Sequence, residues 1–302
     1  MTDDSKFTTI SWSADGPVLL LTLNRPDQMN AISEELEDEL HEALRLAAED
    51  DSVRVIMLTG AGNSFSAGYD LSMDEIAGGR SRSRDVLKHW WESDTATPSL
   101  HLALMRLPKP IIAAVNGWCL GGGMWYALCA DITIASDRAV FGQPEVREIQ
   151  NSTFLLAALA GWKHAHRYAL TGDHFDAKEA ERIGIVNEVV PHDELMKTAM
   201  ALGRRIAKLP PDSVRMNKMI TTLGLEAMGL RTAMETAALI SVIIHSSTDA
   251  AELDELNRIR ENEGLRASLK YRDAPFLPEP GGPRSRPRDD SKQGHTRARD
   301  GC

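Results

Sequence analysis

Apolar runs bounded by turn-forming residues alternate along the chain with segments whose apolar positions recur every three or four residues. Val18–Leu23 follows Gly16-Pro17, is closed by Asn24-Arg25-Pro26 and reads as a buried strand. Ser33 stands where it can cap a helix with Glu34 and Glu35 in its first turn, and Leu36, Leu40, Ala43, Leu44 and Ala47 give that helix one apolar face. Val53–Thr59 predicts a second strand, ending at Gly60-Ala61-Gly62. Ile111–Val115, entered by Pro108-Lys109-Pro110, predicts a third. Gly117 to Gly123 turns into an apolar helical stretch. Ile132–Ala135 and Ile183–Val190 read as later strands, with Ala177–Arg182 helical between them. Strands alternating with helices make the class α/β.

The pattern changes near His192. From there to Lys270 strand signals stop and helical ones continue, as in Leu195–Ala207 and Leu223–Ile244. The face of the second segment away from Glu226 and Glu235 is broadly apolar, which suits deep core or a contact between subunits. Leu277–Cys302 is rich in Pro, Gly and charge and reads as a disordered tail. Ala77–Arg84 reads as a mobile loop.

The chain has 302 residues, 42% of them hydrophobic, enough for a substantial core. Its net charge of −10 lacks the cationic footprint of a nucleic-acid-binding surface. An anionic small molecule is still compatible, because helix N-termini can hold phosphates on an acidic protein. Cys119, Cys129 and Cys302 match no zinc spacing and read as free thiols of a reducing compartment. The N-terminal stretch lacks the pattern of a secretory leader, and no apolar run reaches the ~18 residues of a membrane helix. The expectation is a soluble, cytoplasmic protein without a membrane partner.

Several motifs fail on their spacing. Gly60-Ala61-Gly62 has Phe65 where a dinucleotide fingerprint needs its third glycine, and neither a phosphate-loop lysine motif nor a GxSxG elbow occurs. His164 and His166 diverge on a helix, so no metal site is expected. Two strand–turn junctions survive. Leu58 to Leu71 contains Ala67-Gly68-Tyr69-Asp70-Leu71, and Pro110 to Trp125 contains Gly121-Gly122-Gly123. Small residues there let a ligand approach the backbone and let peptide N–H groups point outward.

With Asn24-Arg25-Pro26, Asn30-Ala31 and Phe141-Gly142-Gln143-Pro144-Glu145-Val146, these junctions resemble the crotonase superfamily, the enoyl-CoA hydratases and isomerases. The likeness runs from about residue 8 to Phe276, through Leu170-Thr171-Gly172, Gly184-Ile185-Val186 and Val189-Val190-Pro191 to Glu263-Gly264-Leu265-Arg266. It implies a spiral of ββα units over residues 8–192 and a helical oligomerising region over 193–276, assembled as a homotrimer or a dimer of trimers. It also implies an acyl-CoA thioester substrate, with coenzyme A as part of that substrate and no separate cofactor. Carried over residue by residue, the backbone N–H groups of Tyr69 and Gly122 become an oxyanion hole, worth roughly 3 kcal/mol per donor. Ala67, Gly68, Asp70 and Leu71, with the loop from Asn24 to Asn30, become the coenzyme A contacts.

One departure matters. Hydratases of this family usually carry two glutamates. Glu145 matches the second, while Trp125 occupies the position of the first. Glu145 is then the single general acid/base, its pKa raised by an apolar pocket that includes Trp125. Hydration of a 2-enoyl-CoA is the leading expectation. Double-bond isomerisation and carbon–carbon bond hydrolysis are alternatives, and a non-catalytic CoA-binding homologue is a further one. Asp131 is expected to be structural and Asp70 to brace the turn carrying Tyr69. Trp90 and Trp91 suit either the acyl pocket or the core. Lys270 and Arg272 suit either a neighbour's CoA phosphates or solvent.

Overall fold

The computed structural model describes residues 6–71, 84–148, 153–247 and 250–280. The expected mobile loop falls outside them except for Arg84, as do Cys302 and the tail from residue 281. The chain opens with a hairpin, β1 (Ile10–Asp15) antiparallel to β2 (Val18–Leu23). α1 (Glu34–Glu49) follows, with Ser33 Oγ accepting from the Leu36 amide as its cap. A strand–turn–strand step then occurs three times. β3 (Val55–Gly60) leads into the short β4 (Ser64–Ser66). After α2 (Arg84–Met105), β5 (Ile111–Val115) leads into β6 (Trp118–Leu120) and α3 (Gly122–Cys129). β7 (Ile132–Ser136) leads into β8 (Val140–Gly142) and the 3-10 turn Pro144–Arg147. α4 (Phe154–Ala160), α5 (Trp162–Ala169), β9 (Phe175–Asp176), α6 (Ala177–Arg182) and β10 (Glu188–Val190) come next. Helices α7 (Leu195–Ile206), α8 (Pro211–Ala227), α9 (Leu230–Ser247), α10 (Ala250–Glu263) and α11 (Leu265–Asp273) complete the described chain.

The first strand of each step joins a six-stranded sheet ordered β1-β2-β3-β5-β7-β10, parallel beyond the opening hairpin. The second strands form a smaller sheet ordered β4-β6-β8-β9, parallel except at β9. The α/β expectation holds, with C-terminal helices after the sheets. Both faces of the large sheet are covered, so β3 is buried at every position and shows no apolar–polar alternation. Its residues still divide by period two. Val55 and Met57 pack with Ile112 and Ala114 against Leu195 and Ala199 of α7. Ile56 and Leu58 join Leu36, Leu40 and Leu44 of α1 in the larger core.

Two sequence expectations need correction. Ile183–Val190 is a strand only over Glu188–Val190. Gly184 takes φ +86°, and the Ile183, Gly184 and Ile185 amides bond back onto α6, so this apolar run caps a helix. Leu223–Ile244 is two helices. Gly229 at φ +102° separates α8 from α9, which bend by 57°. Among the described residues no single helix is long and apolar enough to cross a membrane, although this bent pair is so when taken together.

The tail boundary also moves. Leu277–Pro280, expected to be disordered, is held against the body through Glu279, which is wholly buried. Glu279 meets His174 Nδ1 at 2.8 Å and Arg147 Nη1 at 3.0 Å, and Arg147 also pairs with Asp173 and Asp273. Composition predicts disorder from the scarcity of apolar groups, but here one buried carboxylate ties the segment down. A chain ending at Phe276 is therefore expected to be about 3 kcal/mol less stable than one ending at Pro280, the usual consequence of breaking a buried pair. Equal denaturant midpoints for the two truncations would contradict this.

Candidate active site

Because β4, β6 and β8 pair in parallel, the segments leaving their C-terminal ends lie side by side. Ala67–Leu71 leaves β4, Gly121-Gly122 leaves β6 and Gln143–Glu145 leaves β8. The last two are tied directly, since the Gly121 amide donates to the Gly142 carbonyl at 3.0 Å. Tyr69 forms a parallel bridge with Ile32: the Ile32 amide donates to Gly68 O at 2.8 Å, and the Asp70 amide donates to Ile32 O at 2.9 Å. In such a bridge the intervening residue turns its own N–H away from the partner strand. The Tyr69 amide is thus directed elsewhere. Gly122 is the first residue of α3, and its cap, Gly121, has no side chain to accept from the helix's unpaired N–H groups. A Cβ on Gly68 would come within 3.3 Å of the Gly122 nitrogen. The structure therefore brings together the two junctions that the sequence singles out.

The packing here leaves no room for side chains. A Cβ on Gly122 would sit 2.6 Å from the Tyr69 ring. Gly121 has φ +50°, and a Cβ on it would sit 2.2 Å from Glu145 Oε1. The Glu145 carboxyl thus lies against the Gly121 backbone, beside the start of α3. Its Oε2 is buried with no hydrogen-bond partner among the described residues. Burial pushes this carboxyl up to about 7, against the opposing pull of the Arg272 charge. Trp125, one helical turn beyond Gly121, meets the Tyr69 ring edge-on at 6.3 Å, and its Nε1 is buried without a partner among the described residues. α3 carries no carboxylate.

The surroundings brace these groups. Asp70 pairs with Arg25 at 2.8 Å, and Arg25 also donates to the Ala31 carbonyl. Asn30 is buried at φ +54°; its amide donates to Ala61 O and Ser64 O, and its Oδ1 accepts from the Arg25 N–H. The Ala67 amide donates to Met29 O at 3.0 Å, which stitches the Asn24–Asn30 loop to Ala67–Leu71. Asp131 lies in a structural pair, accepting from the Ile111 amide and from Lys218 Nζ, both at 2.7 Å. Arg272 is neither solvated nor free for a neighbour. It is buried against Glu148 and Asp273, while Lys270 stays exposed. Trp90 stacks on His245 at 4.0 Å and lines a cavity beside Tyr69, whereas Trp91 is exposed. Residues 149–152, which follow the turn carrying Glu145, lie outside the described residues.

The sequence reading missed a second polar group. Glu37 Oε1 accepts from Tyr126 Oη at 2.6 Å and from Tyr69 Oη at 3.0 Å, and His41 Nε2 lies 3.1 Å from the same Tyr126 hydroxyl. Burial raises the Glu37 carboxyl and lowers His41 to about 4. The available signal was the i, i+4 spacing of Glu37 and His41 at the edge of the buried stripe of α1.

Comparison with known proteins identifies the family and the fold. Residues 13–253 match the model of the family described as Enoyl-CoA hydratase/isomerase. A protein of Dictyostelium discoideum named as a probable mitochondrial enoyl-CoA hydratase is 37% identical over 70% of this chain and 75% of its own length. A mevalonyl-coenzyme A hydratase of Aspergillus fumigatus is 39% identical over 66% of this chain and 72% of its own. The crystal structure of an enoyl-CoA hydratase/isomerase from Xanthobacter autotrophicus superposes with a TM-score of 0.81 at 32% identity, covering 90% of this chain and 99% of that one.

The raised Glu145 carboxyl has a consequence for stability. Its folded pKa of about 7 exceeds the ordinary 4.5, so the folded chain holds a proton that the unfolded chain releases between those values. The resulting stabilisation is complete below the lower value and is lost as pH rises through the upper one. Glu145→Gln, neutral throughout, should gain stability relative to the wild type across this window, by up to about 3 kcal/mol above it. Urea unfolding of both proteins at stepped pH measures the difference. A difference independent of pH would contradict the buried, protonated carboxyl.

Proposed function

This chain belongs to the enoyl-CoA hydratase/isomerase family, and we propose that it hydrates a 2-enoyl-CoA thioester, or dehydrates the product, with Glu145 carrying the proton. The thioester oxygen sits between the Tyr69 and Gly122 amides, and the coenzyme A portion runs along Ala67, Gly68, Asp70 and Leu71. Coenzyme A enters as part of the substrate, and the scheme uses no metal and no separate cofactor.

The observation that carries this reading is the convergence of two backbone amides and one carboxyl with a raised pKa where three parallel strands end. Removing or adding a proton at the α-carbon puts negative charge on the thioester oxygen. Fixed N–H donors stabilise that charge without reorganisation, at roughly 3 kcal/mol each. A carboxyl near pKa 7 is present in both protonation states at neutral pH, as an acid/base that gives and takes protons in one cycle requires. Trp125 favours a second reading, double-bond isomerisation, because one carboxyl suffices to carry a proton between two carbons while no second carboxylate on α3 orients water.

We also place the contact between copies of this chain on α8 and α9, where Ile220, Leu223, Ile240 and Ile243 are exposed. Sedimentation at micromolar concentration should then report a trimer or a multiple of it, and a stable monomer would contradict the placement.

Turnover decides the chemistry. Incubation with enoyl-CoA thioesters of graded length should yield products heavier by one water, and Glu145→Gln should lower the rate by about 10²–10⁴. Products of unchanged mass with a moved double bond would select isomerisation instead. Glu145→Gln turnover within threefold of the wild type would remove Glu145 from the reaction.

A further inference from the structure

A cavity of about 550 Å³ lies between α1, α2, α3 and α9. Tyr69 connects it to the amide pair, since its backbone bridges to Ile32 while its ring forms part of the cavity wall. Gly122 and Glu145 are not among the lining residues. Trp125 contributes its indole to the same wall.

The wall has an unusual charge pattern. Glu34, Glu37, Asp38, Asp70, Glu92 and Asp94 all line the cavity, and none of its described lining residues is Lys or Arg. Asp70 is matched by Arg25, and Asp94 meets His245 Nδ1 at 2.8 Å. Glu34, Asp38 and Glu92 are exposed at the rim. Glu37 differs from all of these. Two phenols converge on its Oε1 and orient the carboxylate, and its Oε2 makes no hydrogen bond among the described residues. His101 faces the same space. It is 2% exposed, and its Nε2 has no partner among the described residues. Burial lowers His101 to about 3, so its ring is neutral at physiological pH.

We propose that this cavity receives the acyl end of the thioester and selects acyl groups bearing a hydroxyl, donated to Glu37, over those ending in a methyl or a carboxylate. The inference rests on the reading that the thioester carbonyl lies on the Tyr69 and Gly122 amides. Its chemistry follows from what the wall offers. A carboxylate-ended acyl group would meet a carboxylate-lined wall and be repelled. A methyl-ended group would desolvate Glu37 and leave Oε2 without a donor. An ammonium would have to be desolvated with its full charge. A hydroxyl donates one hydrogen bond and accepts two, so a single oxygen can serve Glu37 and a neighbouring ring N–H together. The Tyr69 side chain spans the distance from the amide to Glu37, which places the selected hydroxyl several bonds beyond the thioester.

The test is equilibrium binding, measured by calorimetry on the full chain with saturated acyl-CoA probes that cannot be hydrated. Probes of matched length end in a methyl, a hydroxyl, a carboxylate or an ammonium, over a series of chain lengths. The expected result is a length at which the hydroxyl-ended probe binds about ten- to a hundredfold tighter than its methyl counterpart, with the carboxylate-ended probe weakest. Glu37→Gln, which keeps an oxygen for the phenols, should erase most of the hydroxyl preference. Methyl-ended binding as tight as hydroxyl-ended at every length, an ammonium-ended probe binding tightest, or a preference unchanged in Glu37→Gln would each overturn the proposal. If every probe binds no better than coenzyme A itself, the amide-pair reading falls with it. If all bind equally but tighter than coenzyme A, only the hydroxyl selection falls.

Discussion

Three short parallel strands, β4, β6 and β8, decide where the candidate catalytic groups of this chain lie. Each is three residues long, and each hands the chain to a segment of the candidate site. Parallel pairing keeps those exits on one edge, a register that the Gly121-to-Gly142 hydrogen bond continues past the strands. The close approach requires the absence of side chains. At Gly121 a Cβ would occupy the place of the Glu145 carboxyl, and at Gly122 it would overlap the Tyr69 ring. The glycines are thus a steric condition of the site. An alanine at either position would push aside the group expected to act.

Electrostatics follow from that crowding. Glu145 is pressed against the Gly121 backbone, far enough from water that its carboxyl holds a proton near neutrality, with the Arg272 charge pulling the other way. Arg272 is fixed by Glu148, which also holds Arg260, so the last helices pin the turn that carries Glu145. The distant C-terminal segment takes part as well. Glu279, Asp273 and Asp173 surround Arg147, two residues after Glu145. Ionic groups buried this densely contribute little net stability, because desolvation offsets most of their attraction. Their effect is to fix position: removing any one partner leaves an unmatched charge in the core.

Where the sequence was legible, a strong local signal coincided with the tertiary role. Ile111–Val115 is a continuous apolar run because its strand is covered on both faces, Val18–Leu23 is broken only by Thr22, and Ser33 announces the start of α1. The breaks at Gly184 and Gly229 were hidden because the apolar pattern continues across them, and the left-handed turn needs only one residue. β4, β6 and β8 are too short to express any period. Tyr69, Gly122 and Glu145 were legible through family resemblance, and the structure brings their segments together. Glu37 was not, because an acidic residue in the first turn of a helix reads equally well as a dipole partner. Only the fold shows that two tyrosines from other elements converge on it. Arg272 was misread for a similar reason: its partner Glu148 lies far away in sequence.

The central claim is that the Tyr69 and Gly122 amides polarise a thioester carbonyl. Isotope-edited infrared difference spectroscopy of a saturated acyl-CoA labelled with carbon-13 at its carbonyl reads that polarisation directly, without turnover. Two fixed donors should lower the carbonyl stretching frequency of the bound thioester below its value in water. Gly122→Ala, which forces the Tyr69 ring to move, should restore most of the unbound frequency in the protein that still binds. A bound thioester with the same carbonyl frequency as in water would contradict the account, because no charge-stabilising pair would then exist where the three strands end.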